Sequence, residues 1–149
     1  MDGTLSFFCI VFVLLFISPS NSQSTFNCSR ASYYGNLVCP ADYRGACGYT
    51  DLGLQINGGD VAAVHRLYRG GTGCGACYQV RCTYPQICNT DGVNVVATDF
   101  GVGDDTDFIL SARSFAKLAQ PNMASQLMAY GVVDIQYRRY IKIYRRVII

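Results

Sequence analysis

The 149-residue sequence contains no tryptophan and no glutamate, and it has a single histidine, His65. Zinc sites in proteins need four ligands, most often cysteine and histidine, so one histidine leaves little to build such a site besides cysteine. Without glutamate, every side-chain carboxylate belongs to an aspartate. The chain is long enough for one domain of ordinary size and too short for two.

Long apolar runs are also scarce, and the only one covers residues 5–17. It is shorter than the roughly 20 residues that a helix needs to span a bilayer. Small and polar residues follow it, as in a secretory signal peptide that is cut after Ser22. Asp2 stands where a basic residue is usual, and an uncleaved anchor is the alternative. We expect residues 1–22 to be a signal peptide and the mature chain to be secreted, with no membrane segment.

Cysteine is abundant. Of the eight cysteines, Cys9 lies in the apolar run, which leaves seven in the mature chain. In a secreted domain of this size, such a density indicates a disulfide framework. The alternative is zinc, because Cys74-Gly-Ala-Cys77 has ligand-like spacing, but the lone histidine and the oxidising compartment favour disulfides, and we expect no metal. Since seven is odd, one thiol has no partner within the chain.

Short segments of regular structure alternate along the chain. Strands are predicted at residues 31–35, 76–82, 93–100 and 133–138. Helical spacing occurs at residues 61–68 after Asp60, at residues 112–119 after Ser111, and at residues 123–130. Residues 101–106 are expected to form an exposed loop. Short strands, glycine-rich turns and several disulfides together predict a small closed barrel.

Four motifs occur in order: Arg44-Gly-Ala-Cys-Gly-Tyr49, Gly73-Cys-Gly-Ala-Cys-Tyr-Gln-Val-Arg-Cys82, Ala97-Thr-Asp-Phe100 and Gly131-Val-Val-Asp-Ile-Gln-Tyr-Arg-Arg139. Over residues 29–139 the chain resembles the first domain of expansins, most closely the plant expansin-like proteins of the B branch. The resemblance implies a mainly β fold, a six-stranded double-psi β-barrel with two or three short helices, stapled by disulfides and similar to barwin and family-45 endoglucanases. Expansins loosen cell walls by disturbing non-covalent contacts between polysaccharides, without net hydrolysis.

The resemblance also indicates that the hydrolytic residues of the related endoglucanases are missing. Inverting hydrolysis needs a general acid and a general base about 6.5–9.5 Å apart. The base position corresponds to Gly35, and the acid position corresponds to Ile109. Neither residue can transfer a proton, so we expect no glycosidase activity and no catalytic residue.

The resemblance also implies a polysaccharide-binding groove, which we expect at Ser32, Tyr34, Asp99, Phe100 and Asp107. Hydroxyls and carboxylates suit sugar hydroxyls as hydrogen-bond partners, and an aromatic face can stack on a pyranose ring. Structural roles are the alternative for each residue: the aspartate at 99 can cap a turn, the serine and tyrosine can serve packing, and the acidic loop at 104–107 can simply be solvated.

The resemblance implies the disulfides Cys47–Cys74 and Cys82–Cys88 and an unpaired Cys77. The two cysteines that remain, Cys28 and Cys39, are then expected to bond each other. In expansins the partner of the Cys77 counterpart falls near the position of Lys142, which is not a cysteine here. We therefore expect a monomer in which the Cys77 thiol is able to link two chains.

The barrel domain is predicted to span residues 23–139, followed by a divergent basic tail at residues 140–149, without the second, cellulose-binding domain of expansins. The expected partner is cell-wall polysaccharide, namely cellulose, xyloglucan or the pectin matrix, and not nucleic acid, which an exported chain rarely meets. The basic tail is suited to acidic polymers such as pectin, and a solvated tail is the alternative. No cofactor is expected, and Asn27 matches the N-glycosylation pattern. A secreted signalling or defence protein of the barwin or plant-natriuretic-peptide type is the alternative function.

Overall fold

The computed structural model describes residues 25–37, 44–50, 55–103 and 105–140. Its strands are β1 (Asn27–Tyr34), β2 (Val61–Val64), β3 (Cys77–Cys82), β4 (Val93–Phe100), β5 (Phe108–Ser111) and β6 (Val133–Arg139). Its helices are α1 (Ala112–Ala116) and α2 (Ala124–Tyr130), with short 3-10 turns at Ile56–Gly59 and Arg69–Gly71. The predicted signal peptide, Cys39, Asp104 and the tail after Tyr140 lie outside the described residues.

The six strands form a closed barrel in the order β1-β5-β2-β4-β3-β6, and β6 pairs with β1 to close it. The pairs β1–β5 and β2–β4 are parallel, and the other four are antiparallel. A hairpin cannot connect parallel neighbours, so the chain must cross over between them. These crossovers bring distant residues side by side. The predicted six-stranded, mainly β barrel is confirmed.

The barrel interior is filled by side chains that alternate along the strands. In β3, Tyr78, Val80 and Cys82 are buried, whereas the residues between them are more accessible. Aromatic and branched aliphatic side chains from every strand meet them, including the fully buried Phe108 and Leu110 of β5. Such a closely filled interior is a packed core and not a channel.

Two strands were not predicted. The predicted helix at residues 61–68 is wrong, because Val61–Val64 forms β2, which pairs with β4 on one side and β5 on the other. All four of its residues are buried, and a short apolar run of this kind does not distinguish a core strand from a buried helix. Strand β5 is equally short and directly precedes a helix, so its pattern was too brief to stand out.

The predicted helices after Ser111 and near residue 123 are present, although α1 ends at Ala116. The Ser111 hydroxyl accepts a hydrogen bond from the Ser114 backbone N–H at 3.4 Å and donates one to the Gly59 carbonyl at 2.9 Å. It therefore serves as the N-cap and also ties α1 to the segment before β2. Within the part of the chain that is described, no helix has the length and apolar character needed to cross a bilayer.

Two disulfides are present in the described residues, Cys47–Cys74 and Cys82–Cys88, and both are pairs that the resemblance implies. The first joins the segment at 44–50 to the loop before β3, and the second closes a short loop after β3. Cys77 has a free thiol. The Cys28–Cys39 pair is not formed, because Cys28 is a free, exposed thiol on β1. That pairing rested on elimination among cysteines, which carries no geometric information.

Candidate functional site

A row of four residues crosses four neighbouring strands on the outside of the barrel. Ser32 of β1 lies opposite Ile109 of β5, which lies opposite Ala63 of β2, and Ala63 in turn lies opposite Asp99 of β4. Opposed residues point to the same face of a sheet. Their neighbours along β1, β2 and β5 point into the barrel, where Ala31, Ala62, Val64, Phe108 and Leu110 are fully buried. We call these four residues the groove row. Three inter-strand steps of about 4.8 Å make it about 14 Å long.

A β-bulge sets the direction in which Asp99 points. Ala62 pairs with Ala97, but the next residue of β2 pairs with Asp99, so Thr98 is an extra residue in β4. Without this insertion, alternation would turn Asp99 towards the interior with Val95 and Ala97, both of which are buried. The bulge turns the carboxylate outward into the groove row. Bulges often redirect side chains next to functional sites.

One oxygen of Asp99 has a structural role. Its Oδ1 accepts hydrogen bonds from the backbone N–H groups of Ala46, at 2.5 Å, and Phe100, at 2.7 Å. A side chain at Gly45 would collide with the Thr98 carbonyl, so glycine allows this segment to approach β4 closely. Among the described residues no hydrogen bond reaches Oδ2, which leaves that oxygen available to a ligand.

The middle of the groove row is apolar. A Cβ atom at Gly101 would lie 2.8 Å from Ile109 Cδ1 and 2.9 Å from Ala63 Cβ, so the bare glycine packs directly against both. At the far end, the Ser32 hydroxyl makes no hydrogen bond within the described residues, and Tyr34 lies two positions further along the same face of β1. The row therefore has hydrogen-bonding ends and an apolar centre, which matches a sugar chain with polar edges and C–H-lined ring faces.

The structure corrects the expected role of Asp107. Its side chain is only 4% exposed, and Arg66 binds it through two bonds of 2.6 Å, Nε to Oδ1 and Nη2 to Oδ2. The Ser29 hydroxyl donates a third bond, also 2.6 Å long, to Oδ2. The Arg66 guanidinium lowers the pKa of Asp107 below its ordinary value, although burial opposes this shift. Asp107 is thus a buried ion-pair partner rather than a carboxylate offered to a ligand, and it has no proton to donate at neutral pH.

Phe100 lies beside the groove row and not in it. Because it follows Asp99 in a strand, its ring points to the other face, where it contacts Tyr68 and His65 with ring centroids 5.2 and 5.8 Å apart. The ring is 46% exposed at the end of the barrel. Sequence reasoning missed Tyr68 because it belonged to the predicted helix.

Asp99 is the only carboxylate of the groove row. Elsewhere, Asp60 binds Lys117 at 2.6 Å, and Asp107 binds Arg66. Inverting hydrolysis needs two carboxyl groups on opposite sides of the scissile bond. At the expected base position, Gly35 follows β1 with a φ of 70°, in the left-handed region. No group of three potential metal-binding side chains occurs in the described ranges.

Comparison with known proteins identifies the family. A family model described as lytic transglycolase matches residues 60–137. Expansin-like B1 of Arabidopsis thaliana is 54% identical over 112 residues, which cover 74% of this chain and 45% of that protein. Expansin-like B1 of Oryza sativa subsp. japonica is 48% identical over 131 residues, which cover 87% of this chain and 51% of that protein. The chain belongs to the expansin-like B family. It spans about half the length of these relatives.

The fold of this expansin-like chain also occurs in a solved structure. A mutant Clavibacter michiganensis expansin in complex with cellohexaose superposes with a TM-score of 0.54 at 19% sequence identity, over 80% of this chain and 52% of that one. The likeness shows a shared barrel. The segment at 44–50 and the bulge at Thr98, which position Asp99, both belong to motifs that first indicated the family.

Proposed function

We propose that this domain binds a chain of cell-wall β-glucan along the groove row and does not hydrolyse it. One observation carries the proposal: Ser32 and Asp99 offer hydrogen-bonding groups at the two ends of the row, and Ile109 stands between them. The Clavibacter michiganensis expansin, which shares the fold, is found with cellohexaose, and this supports a glucan as the ligand.

The length of the row determines how a glucan would lie. The two polar ends are about 14 Å apart along the surface, which is more than one pyranose ring spans. Ser32 and Asp99 therefore contact different rings of the same chain. Between them, the partly exposed Ile109 faces the C–H surface of a ring, and contact there removes apolar area from water, whereas Ala63 is buried beneath the surface.

The carboxylate is held in place before the ligand arrives. Oδ1 of Asp99 is fixed by the Ala46 N–H, and the Cys47–Cys74 disulfide anchors the same segment to the loop before β3. Ordering a side chain at a binding site opposes association by about 0.5–1.5 kcal/mol. Because the fold already orders the Asp99 side chain, Oδ2 binds a sugar hydroxyl without this free-energy cost.

The same geometry supports binding without cleavage. An inverting glycosidase protonates the leaving oxygen from one carboxyl group while a second activates water, and a retaining one uses the second as a nucleophile. Ile109 provides neither function, and Asp99 has no second carboxyl group in the row. A protein of this kind weakens contacts between wall glycans by occupying their hydrogen-bonding groups, with no covalent step. This function places the domain outside the cell, in the wall.

The test compares the affinity of the full chain for cellohexaose, measured by calorimetry, among matched variants. Ser32→Ala should weaken binding about three- to tenfold, the effect of one lost hydrogen bond. Ser125→Ala removes the same hydroxyl from an exposed position on α2 and should leave the affinity unchanged. Equal affinities for the parent and Ser32→Ala would place the glucan elsewhere on the protein.

A further inference from the structure

A second polar surface lies on β3 and β6, the two strands of the closed barrel that the groove row does not cross. Alternate residues of both strands are buried inside the barrel, so Gln79, Arg81, Gln136 and Arg138 point outward. Strand pairing places Arg81 opposite Gln136, and Gln79 opposite Arg138. The two arginines are therefore diagonal neighbours on one outer face of the barrel.

Phe26, which directly precedes β1, brings the two guanidinium groups together. Arg81 Cζ lies 3.9 Å from the centroid of the Phe26 ring, and Arg138 Cζ lies 4.6 Å from it, both within the range of cation–π contacts. Because both distances end on the same centroid, the two Cζ atoms are at most 8.5 Å apart. Two positive charges this close repel each other. We call Arg81, Arg138 and Phe26 the arginine face.

Neutral amides, and not carboxylates, hold the two guanidinium groups. Gln136 Oε1 accepts hydrogen bonds from Nε and Nη2 of Arg81 at 3.0 and 2.7 Å. Gln79 Oε1 accepts one from Nε of Arg138 at 2.8 Å, and the Nε2 group of Gln79 donates to the Asp91 carbonyl at 2.9 Å. These hydrogen bonds orient both arginine side chains without cancelling either positive charge.

The charges of Arg81 and Arg138 are not balanced by an acid. Neither arginine takes part in an ion pair within the described residues, and the outward carboxylate of β6, Asp134, lies 4.0 Å from Arg30 instead. In the same part of the chain, no hydrogen bond uses Nη1 of Arg81 or either Nη group of Arg138. The undescribed segments after the predicted signal peptide contain three aspartates and three basic residues, so they add no net charge. The arginine face thus combines two positive charges with unused N–H donors.

We propose that the arginine face binds the carboxylates of an acidic polysaccharide, a chain of uronic acid sugars. A planar guanidinium pairs with a carboxylate through two parallel N–H donors. Since the two guanidinium groups share one surface, they bind carboxylates on different sugars of the same chain. Phe26 and the two glutamines hold both groups in place beforehand, so less side-chain freedom is lost on binding.

This second site is separate from the groove row and uses none of its residues. The inference takes from the proposed function only the location outside the cell, which favours uronic acid polymers over phosphate polymers as the polyanion. Because β3 and β6 are the strands that the groove row leaves uncrossed, the two polysaccharides would lie on different sides of the barrel. The domain is then able to contact a neutral and an acidic polymer at once.

The experiment measures the affinity of the full chain for hexagalacturonate and for its full methyl ester by calorimetry. The ester keeps the sugar chain and removes every negative charge, so the parent should bind the free acid at least about tenfold more tightly. Arg138→Gln should lower the affinity for the free acid about tenfold, the effect of one lost charged hydrogen bond. Arg113→Gln removes the same charge from α1, which directly follows β5, a strand that pairs with neither β3 nor β6. This control should change the affinity by less than about twofold, because salt screens distant surface charges.

Gln136→Glu tests the same site without removing an arginine. It places a carboxylate of nearly the same shape against Nε and Nη2 of Arg81, where a neutral amide oxygen stands in the parent. The new carboxylate relieves the repulsion between the two arginines, so Tm should equal or exceed that of the parent. It also competes with the ligand, so the affinity for hexagalacturonate should fall about tenfold while the affinity for cellohexaose stays unchanged. Arginines that serve only to hold Phe26 would leave both affinities unchanged.

Each other outcome decides against the arginine face as a binding site. Equal affinity of the parent for the free acid and its methyl ester overturns the proposal, as does binding of neither. Equal losses in Arg138→Gln and Arg113→Gln would show attraction by net charge alone and overturn it too. Tighter binding of a linear polyphosphate of the same charge contradicts the carboxylate class. Cellohexaose binding by the same samples tests the groove row separately, so failure of one site is distinguished from failure of the other.

Discussion

Ser32 of β1 and Ile109 of β5 lie directly opposite each other in a parallel pair of strands. The position that the family resemblance assigns to the general acid of related endoglucanases is therefore inside the groove row, between a hydroxyl and the carboxylate of Asp99. The isoleucine side chain at this position fills the space in the groove row but cannot donate a proton. Such a row is suited to holding a sugar chain and not to protonating a glycosidic oxygen.

Two substitutions at Asp99 should separate its structural role from its binding role. Asp99→Ala should lower the free energy of unfolding by about 1–2 kcal/mol, because Oδ1 accepts the N–H groups of Ala46 and Phe100. Asp99→Asn keeps an oxygen for these bonds and should be nearly as stable as the parent, yet it should bind cellohexaose more weakly. Denaturant unfolding measures the first effect and calorimetry the second. Equal stability of the two variants would show that the carboxylate does not hold the segment at 44–50.

The two disulfides should differ in their effect on binding. Replacing both Cys47 and Cys74 by alanine should lower the free energy of unfolding by about 3–4 kcal/mol, given their sequence separation of 27, and should also weaken glucan binding. The matched control replaces Cys82 and Cys88, which are separated by 6 and lie away from the groove row. Replacing Cys82 and Cys88 should lower the free energy of unfolding by about 2–3 kcal/mol and leave the glucan affinity of the folded protein unchanged. Equal losses of affinity would contradict the anchoring role of the first disulfide.

The buried pair of Asp107 and Arg66 predicts how stability depends on pH. The bond from Arg66 lowers the pKa of Asp107, so the folded protein holds this proton less tightly than the unfolded chain does. The resulting stabilisation is present above the unfolded pKa of about 3.9 and is lost as the pH falls through the lower folded pKa. The free energy of unfolding should therefore decline from about pH 4 downwards.

Asp107→Asn removes this contribution, so its free energy of unfolding should change less between about pH 4 and pH 2 than that of the parent. Asp91→Asn, at an exposed turn, is the control and should follow the parent curve. Denaturant unfolding at a series of pH values provides the comparison. Identical slopes for the parent and Asp107→Asn would mean that the ion pair does not stabilise the fold.

Some elements of the fold could be predicted because their signals are local. The alternation in β6 and the N-cap Ser111 are both visible within a few residues of sequence. Strand β2 could not be predicted from a local signal, because Val61–Val64 is buried on both faces and shows no alternation of buried and exposed residues. Its identity as a strand depends on β4 and β5, which are about 30 or more residues further along the chain.

The same distinction between local signals and tertiary contacts applies to the candidate site. The family resemblance indicated Ser32 and Asp99, but the outward direction of Asp99 depends on the bulge at Thr98, which exists only in the pairing with β2. Asp107 was also expected in the groove, but its carboxylate is bound by Arg66, 41 residues away in sequence. Whether a polar residue is offered to a ligand or bound within the protein is thus set by tertiary contacts that a linear pattern does not contain.

The most direct test of the central claim is equilibrium dialysis of cellohexaose against the full chain, with both compartments analysed by mass spectrometry. The account predicts that cellohexaose accumulates on the protein side, that Ser32→Ala reduces this excess, and that all recovered sugar has the mass of the intact hexasaccharide. Shorter oligosaccharides that increase with time and protein concentration, and that disappear in Asp99→Asn, would contradict it. An equal distribution across the membrane would contradict it as well.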